Sequence, residues 1–133
     1  MKEVSVIILN WNGAAMLRKY LPSVVKYSGE AEVVVADNGS TDNSLEVLRE
    51  EFPTVKTICF DQNYGFAEGY NKAIAQTLTP YTLLLNSDVE VTEGWLVPLM
   101  AFMREHTEAA ACQPKILNYN HREKFEYAGA CGG

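Results

Sequence analysis

Two kinds of apolar pattern alternate along the chain. VSVIIL (4–9), AEVVVAD (31–37), VKTICF (55–60) and YTLLLN (81–86) are short continuous runs, most of them rich in β-branched residues, as expected of strands covered on both faces. Between them, apolar residues return every three or four positions, the spacing of a helix with one buried stripe. Met16/Leu17, Tyr20/Leu21 and Val24/Val25 make the first stripe, and Pro22 inside it predicts a kink or the start of a second short helix. Leu45, Leu48 and Phe52 make the second, stopped by Pro53, and Phe66, Tyr70, Ile74 and Leu78 the third. Trp95, Leu96, Leu99, Met100 and Met103 make the fourth, with Thr92 as its cap. AAACQPKIL (109–117) predicts a further strand and EKFEYAGACGG a weaker one. Alternation of this kind predicts an α/β fold with a mainly parallel sheet of about five strands and helices on both faces.

In an open parallel sheet, ligands lie outside the carboxyl ends of the strands. The polar clusters of this chain fall at those ends: Asn10, Trp11 and Asn12; Asp37 and Asn38; Asp61, Gln62 and Asn63; Asn86, Ser87 and Asp88. Turns use Asn, Asp and Ser anyway, so a single cluster reads as turn chemistry. Four clusters on one rim predict a site.

Composition narrows what the site can hold. The 133 residues carry a formal charge of −6 with no Lys/Arg cluster, which disfavours nucleic acid. No apolar run approaches the roughly 20 residues of a membrane span. No secretory leader is evident, so the expected location is cytoplasmic, at most attached to the inner face of a membrane by something outside the chain. Cys59, Cys112 and Cys131 are widely spaced and lack a C-x-x-C pair, which predicts reduced, mostly buried thiols and no zinc site. G-x-G-x-x-G and the P-loop pattern are absent, so dinucleotide and P-loop chemistry are disfavoured. Without a glycine cradle or a basic clamp, a bound diphosphate needs a cation. Oxygen ligands at the end of the fourth strand suit Mn2+ or Mg2+.

VSVIILNWNG, VVVADNGSTDNS, NYGFAEGYNKAI and LLLNSDVE, in this order, resemble the nucleotide-sugar half of the family 2 glycosyltransferases, in the rhamnosyltransferase-like branch. The resemblance covers nearly all of residues 1–133 and implies a Rossmann-like GT-A fold. It implies an inverting transfer from a UDP- or dTDP-sugar to a saccharide or lipid-linked acceptor. Asp88 is then the metal ligand, and Asn86 stands where many members carry the first Asp of D-x-D. Asp37 matches the residue that meets the base, where a carboxylate accepts the N3–H of uracil or thymine. Leu9, Asn10, Trp11, Asn38, Gly65, Asn71 and Ser87 complete the implied substrate-binding set, with Trp11 able to stack on the base. Gly39 and Asp42 are expected to shape the turn and the helix start, and Lys72 to be solvated. Tyr70 occupies a position where many members carry Arg.

The glycine-rich ending AGACGG makes a poor solvated tail, so the chain is expected to be a piece cut from a longer protein, truncated at the C-terminus. The acceptor-binding part and the general base then lie beyond Gly133, Glu123 and Glu126 are surface charges, and this piece binds donor weakly without transferring sugar. Rival readings are a noncatalytic nucleotide- or partner-binding domain and a sugar nucleotidyltransferase. The second lacks its glycine-rich, basic start after the first strand.

Overall fold

The computed structural model describes residues 2–106 and short strands at 111–112, 116–117, 125–127 and 131–132. Within residues 1–92, four apolar runs pair side by side as parallel strands: β1 (Val4–Asn10), β2 (Ala31–Asp37), β3 (Lys56–Cys59) and β4 (Tyr81–Leu85), in the order β3-β2-β1-β4. Three helices join them: α1 (Ala14–Tyr27), α2 (Ser44–Glu51) and α3 (Phe66–Ala75). The chain moves outward from β1 to β3 and then returns to the far side of β1 for β4. The order therefore reverses between β1 and β4, and in open α/β sheets the ligand crevice lies at such a switch point, beyond the carboxyl ends of the strands.

Right-handed crossovers assign the helices to faces. α1 and α2 follow steps in one direction and α3 a step in the other, so α1 and α2 cover one face and α3 the opposite one. The α3 face is built on Ile7, Val34, Ala36 and Ile58 against Tyr70 and Ala73, with Leu9, Phe60 and Ile74 at its margin. On the helices of the other face, Leu17, Leu21, Val24, Val47 and Leu48 are buried. Val4, Val6, Ile7 and Ile8 of β1 are all at most 2% exposed, as a central strand requires.

Several expectations change. α1 runs through Pro22 as one helix, with no second helix starting there. On α2 the buried side is Ser44, Val47 and Leu48, while Leu45 is exposed. On α3 Tyr70 faces inward as expected, but with Gly69 and Ala73; Phe66 is 67% exposed, and Leu78, 88% exposed, lies beyond the helix end at Ala75. A step of four residues overshoots a helical turn by about 40°, so a strict i, i+4 row winds off the buried face. Gly69 is inside because α3 lies close to the sheet: a Cβ there would stand 3.0 Å from both Leu9 methyl carbons. β4 is only partly covered. Leu85 is buried, but Thr82 and Leu84 are exposed, because α3 lies over β1 and β2 and leaves this flank bare. Cys59, expected to be buried, is a free, exposed thiol at the end of edge strand β3.

Within residues 93–133, α4 (Leu96–Glu105) buries Leu96 and Met100. It starts at Leu96 with Trp95 at the cap position, so Thr92 does not cap it. The strand anticipated over 109–117 takes the form of two short pieces. β5 (Ala111–Cys112) pairs antiparallel with β8 (Cys131–Gly132), and β6 (Ile116–Leu117) with β7 (Phe125–Tyr127), so the parallel sheet has four strands. Glu123 and the Glu126 side chain lie outside the described residues. Among the described residues, no helix is long and apolar enough to cross a membrane.

Candidate functional site

The rim of the crevice is assembled from side chains bonding to neighbouring loops. Asn10, the last residue of β1, sits opposite Asp37 in the β1–β2 register. Its Nδ2 donates to Asp37 Oδ1 at 3.0 Å, and Ser40 donates its hydroxyl to the same oxygen at 2.7 Å and its amide to Oδ2 at 3.0 Å. Three donors thus surround a carboxylate whose residue is 1% exposed. Hydrogen bonds onto a charged group are the strong kind, and here they close the turn after β2. Asn10 Oδ1 is buried without a partner among the described residues, and a Cβ on Gly13 would stand 2.5 Å from it, so a side chain at 13 would force Asn10 to shift.

Asn12 joins the first two loops. It adopts a left-handed backbone with φ 49°, which Asn tolerates better than most residues. Its Oδ1 accepts the Thr41 amide at 2.7 Å and the Asp42 amide at 3.1 Å, while its own amide donates to Ser40 Oγ at 2.8 Å. Asn38 joins the second loop to the third. Its Nδ2 donates to Asn63 Oδ1 and the Gly65 carbonyl, both at 3.1 Å, and its Oδ1 accepts the Tyr64 amide at 2.9 Å. Gly39, at φ 76°, lies where a Cβ would come within 2.6 Å of the Gln62 backbone. Glycine is required there on both counts.

Asp42 shapes the helix starts, as expected. Its Oδ2 accepts the Ala14 amide at the first residue of α1 (3.2 Å), and its Oδ1 accepts the Ser44 amide at the first residue of α2 (2.9 Å). Burial pushes this carboxyl up, but hydrogen bonds from the Ser44 hydroxyl and the Ser44 and Ala14 amides prevail and hold it below 3.8. A depressed folded value means stability that is present above the unfolded value and lost as pH falls through the folded one. Asp42→Ala is expected to cost about 1–2 kcal/mol near neutral pH, as a lost helix cap does. In thermal melts, the gap between the two proteins should narrow as pH drops below 3.8.

Above this framework lie groups that bond to nothing in the described chain. Trp11 is 55% exposed at the end of β1 and is no part of the core. Asn71, Asn86 and Asp88 are exposed, Ser87 is half-buried, and no side-chain partner holds Asn71, Asn86 or Asp88. Gly65 precedes α3 at φ 81° with open space where a side chain would be, and α3 has no side-chain cap. Among the implied ligand residues, Asn10, Asp37 and Asn38 are thus buried in the loop framework and Leu9 packs beside α3. Trp11, Gly65, Asn71 and the Asn86–Asp88 turn border open space.

No three His, Cys, Asp or Glu among the described residues are grouped to hold a metal ion. The exposed Asp88 carboxylate is an oxygen donor of the kind that Mg2+ accepts alongside phosphate oxygens and water. On the β3 side, Cys59, Phe60, Asp61, Tyr64, Lys72, Ala75 and Gln76 line an open recess of about 470 Å3. There the Tyr64 hydroxyl donates to Asp61, which with slight desolvation raises the phenol's pKa. Lys72 is exposed, but its ammonium lies 4.4 Å from the Tyr64 ring centroid.

The family described as Glycosyl transferase family 2 matches residues 5–128. The chain belongs to this family. The succinoglycan biosynthesis protein ExoU of Rhizobium meliloti is 34% identical over 74% of this chain and 30% of its own length. A PGL/p-HBAD biosynthesis glycosyltransferase of Mycobacterium tuberculosis is 30% identical over 77% of the chain and 42% of its own. The chain thus spans well under half the length of these relatives. Among solved structures, S. aureus TarS 1–349 in complex with UDP-GlcNAc superposes with a TM-score of 0.69 at 24% identity, covering 92% of this chain and 42% of that one. The mannosyltransferase PcManGT from Pyrobaculum calidifontis, in complex with GDP-Man and Mn2+, gives 0.67 at 20% identity, covering 86% of this chain and 33% of that one. The fold of this family 2 glycosyltransferase domain is accordingly GT-A.

Sequence reasoning missed the organisers of the site. Asn12 and Asn63 stood out only as members of polar clusters and Ser40 only as a possible helix cap, whereas all three bond across the loops. The signal for Asn12 was an Asn directly before Gly13 at a strand end. Short polar side chains that bond across loops leave no periodicity to find them by.

Proposed function

We propose that residues 1–133 form the nucleotide-sugar-binding part of a metal-dependent, inverting glycosyltransferase that uses a UDP- or dTDP-sugar and a saccharide or lipid-linked acceptor. The observation carrying this reading is the unpartnered set at the β1/β4 crevice: an exposed indole at the end of β1 and the free Asn86 and Asp88 after β4. The complexes of TarS with UDP-GlcNAc and of PcManGT with GDP-Man and Mn2+ support it.

On this reading Trp11 stacks on the base. Asp37 takes the N3–H through Oδ2, the oxygen with a single donor from the chain. The diphosphate lies toward the uncapped start of α3, where helix amides favour negative charge. Gly65 and Asn71 border its path. Asp88 holds the cation, with Asn86 and Ser87 beside it. Mn2+ or Mg2+, when bound, offsets the charge of the departing diphosphate. The exposed amide of Asn86, in place of a carboxylate, favours a second reading, a noncatalytic nucleotide-binding domain.

Calorimetric titration of UDP with and without Mn2+ separates the two. Metal-enhanced binding supports the transferase, and metal-independent binding supports the second reading. Trp11→Ala should weaken UDP binding by about 1–3 kcal/mol, the range for one base on an aromatic ring, and weaken ribose phosphate binding far less. Equal losses for both ligands would remove the stacking role.

A further inference from the structure

The turn that carries Asp88 is fixed at both ends by side chains from helices on opposite faces of the sheet. At its start, the Tyr70 hydroxyl of α3 donates to the Leu85 carbonyl at 2.9 Å. Leu85 pairs with Ile8 at the last step of the β1–β4 register, so the hydroxyl sits where the two strands part and the crevice begins. Tyr70 is 3% exposed, and its ring meets Phe66 edge-on, with centroids 4.9 Å apart. Burial raises its pKa against the lowering effect of the Leu9 amide beside it, so the phenol keeps its proton and remains a donor. At the far end of the turn, the Val91 amide donates to Ser23 Oγ of α1 at 3.1 Å. Between these two points, Asn86 and Asp88 have no side-chain bonds to other described residues.

We propose that Tyr70 is a positioning residue: its hydroxyl fixes the direction in which Asn86–Ser87–Asp88 leaves β4, so that Asp88 is already aimed at a cation-bound diphosphate. The inference rests on the donor-binding reading above. Where the family resemblance implies Arg, this chain has a buried donor turned toward backbone. Position 70 therefore acts on the diphosphate through the turn and not by its own charge.

Tyr70→Phe removes one oxygen and keeps the buried ring. UDP affinity of the full chain, measured with and without Mn2+, gives the metal-dependent gain for each protein. Tyr70→Phe is expected to shrink that gain by about threefold to tenfold, the worth of one hydrogen bond, and to leave metal-free affinity unchanged. Ser23→Ala, which frees the other end of the turn, is expected to shrink it in the same direction. A merely structural hydroxyl would lower the unfolding midpoint and leave the gain intact. That result overturns the inference while leaving donor binding standing. If the unsubstituted chain shows no metal-dependent gain, the donor-binding reading itself fails, and the inference with it.

Discussion

Asp88→Asn is expected to lower the affinity for UDP in Mn2+ by tenfold or more, at least about 1.4 kcal/mol, and to leave the metal-free affinity where it was. The size follows from the donor set. Among the described residues no three acidic, His or Cys ligands are grouped to hold a cation, and Asp88 is the carboxylate of the Asn86–Ser87–Asp88 turn. Asn keeps the shape and a neutral oxygen but removes the charge that a hard divalent ion seeks. The side chain is exposed and unpartnered, so the substitution disturbs no packing, and thermal unfolding should move by less than about 0.5 kcal/mol. Calorimetry against UDP with Mn2+ is the measurement. Equal affinity in the two proteins would show that the cation, if bound, rests elsewhere.

Asp37→Ala should act in the opposite sense, on stability first. Its carboxylate takes hydrogen bonds from Asn10 Nδ2, the Ser40 hydroxyl and the Ser40 amide while 1% exposed. Hydrogen bonds to charged groups contribute about 1.5–3 kcal/mol each, and removing the acceptor leaves the Asn10 amide buried without it. The expected loss is about 3 kcal/mol or more, a large share of the 5–15 kcal/mol typical of a domain. Urea denaturation followed by circular dichroism would show it as a lowered midpoint. A midpoint within 0.5 M urea of the parent, about 1 kcal/mol at usual slopes, would mean that the turn closes without this carboxylate. Trp11 and Asn12 follow Asn10 directly, so donor affinity should fall as well, but as a result of the loosened rim.

The sheet was legible because strands covered on both faces have no polar alternation to hide them. β1 and β2 read directly as VSVIIL and AEVVVAD. β4 read as equally buried, yet Leu84 is exposed, since a strand's own sequence does not say whether a helix lies over it. The inward side of α3 was misread beyond Tyr70 for a related reason: the contact is made at Gly69 and Ala73, which contribute little apolar signal. For the site, the strand-end rule pointed to these loops, and Trp11, Asn86 and Asp88 are exposed there. What the sequence concealed was division of labour. Asn10, Asp37 and Asn38 look like ligands by type, but hydrogen bonds within the rim already engage them, leaving Asp37 Oδ2 with a single donor, and residue type alone does not separate a polar group facing solvent from one facing a neighbouring turn.

The single carboxylate shared by the first residues of α1 and α2 makes the two helices partners in unfolding. Opening the turn that holds Asp42 strips an acceptor from both helix starts at once, although Ala14 lies 28 positions before Asp42. Amide protons at the two helix starts should therefore exchange with water on a common clock, as one cooperative opening.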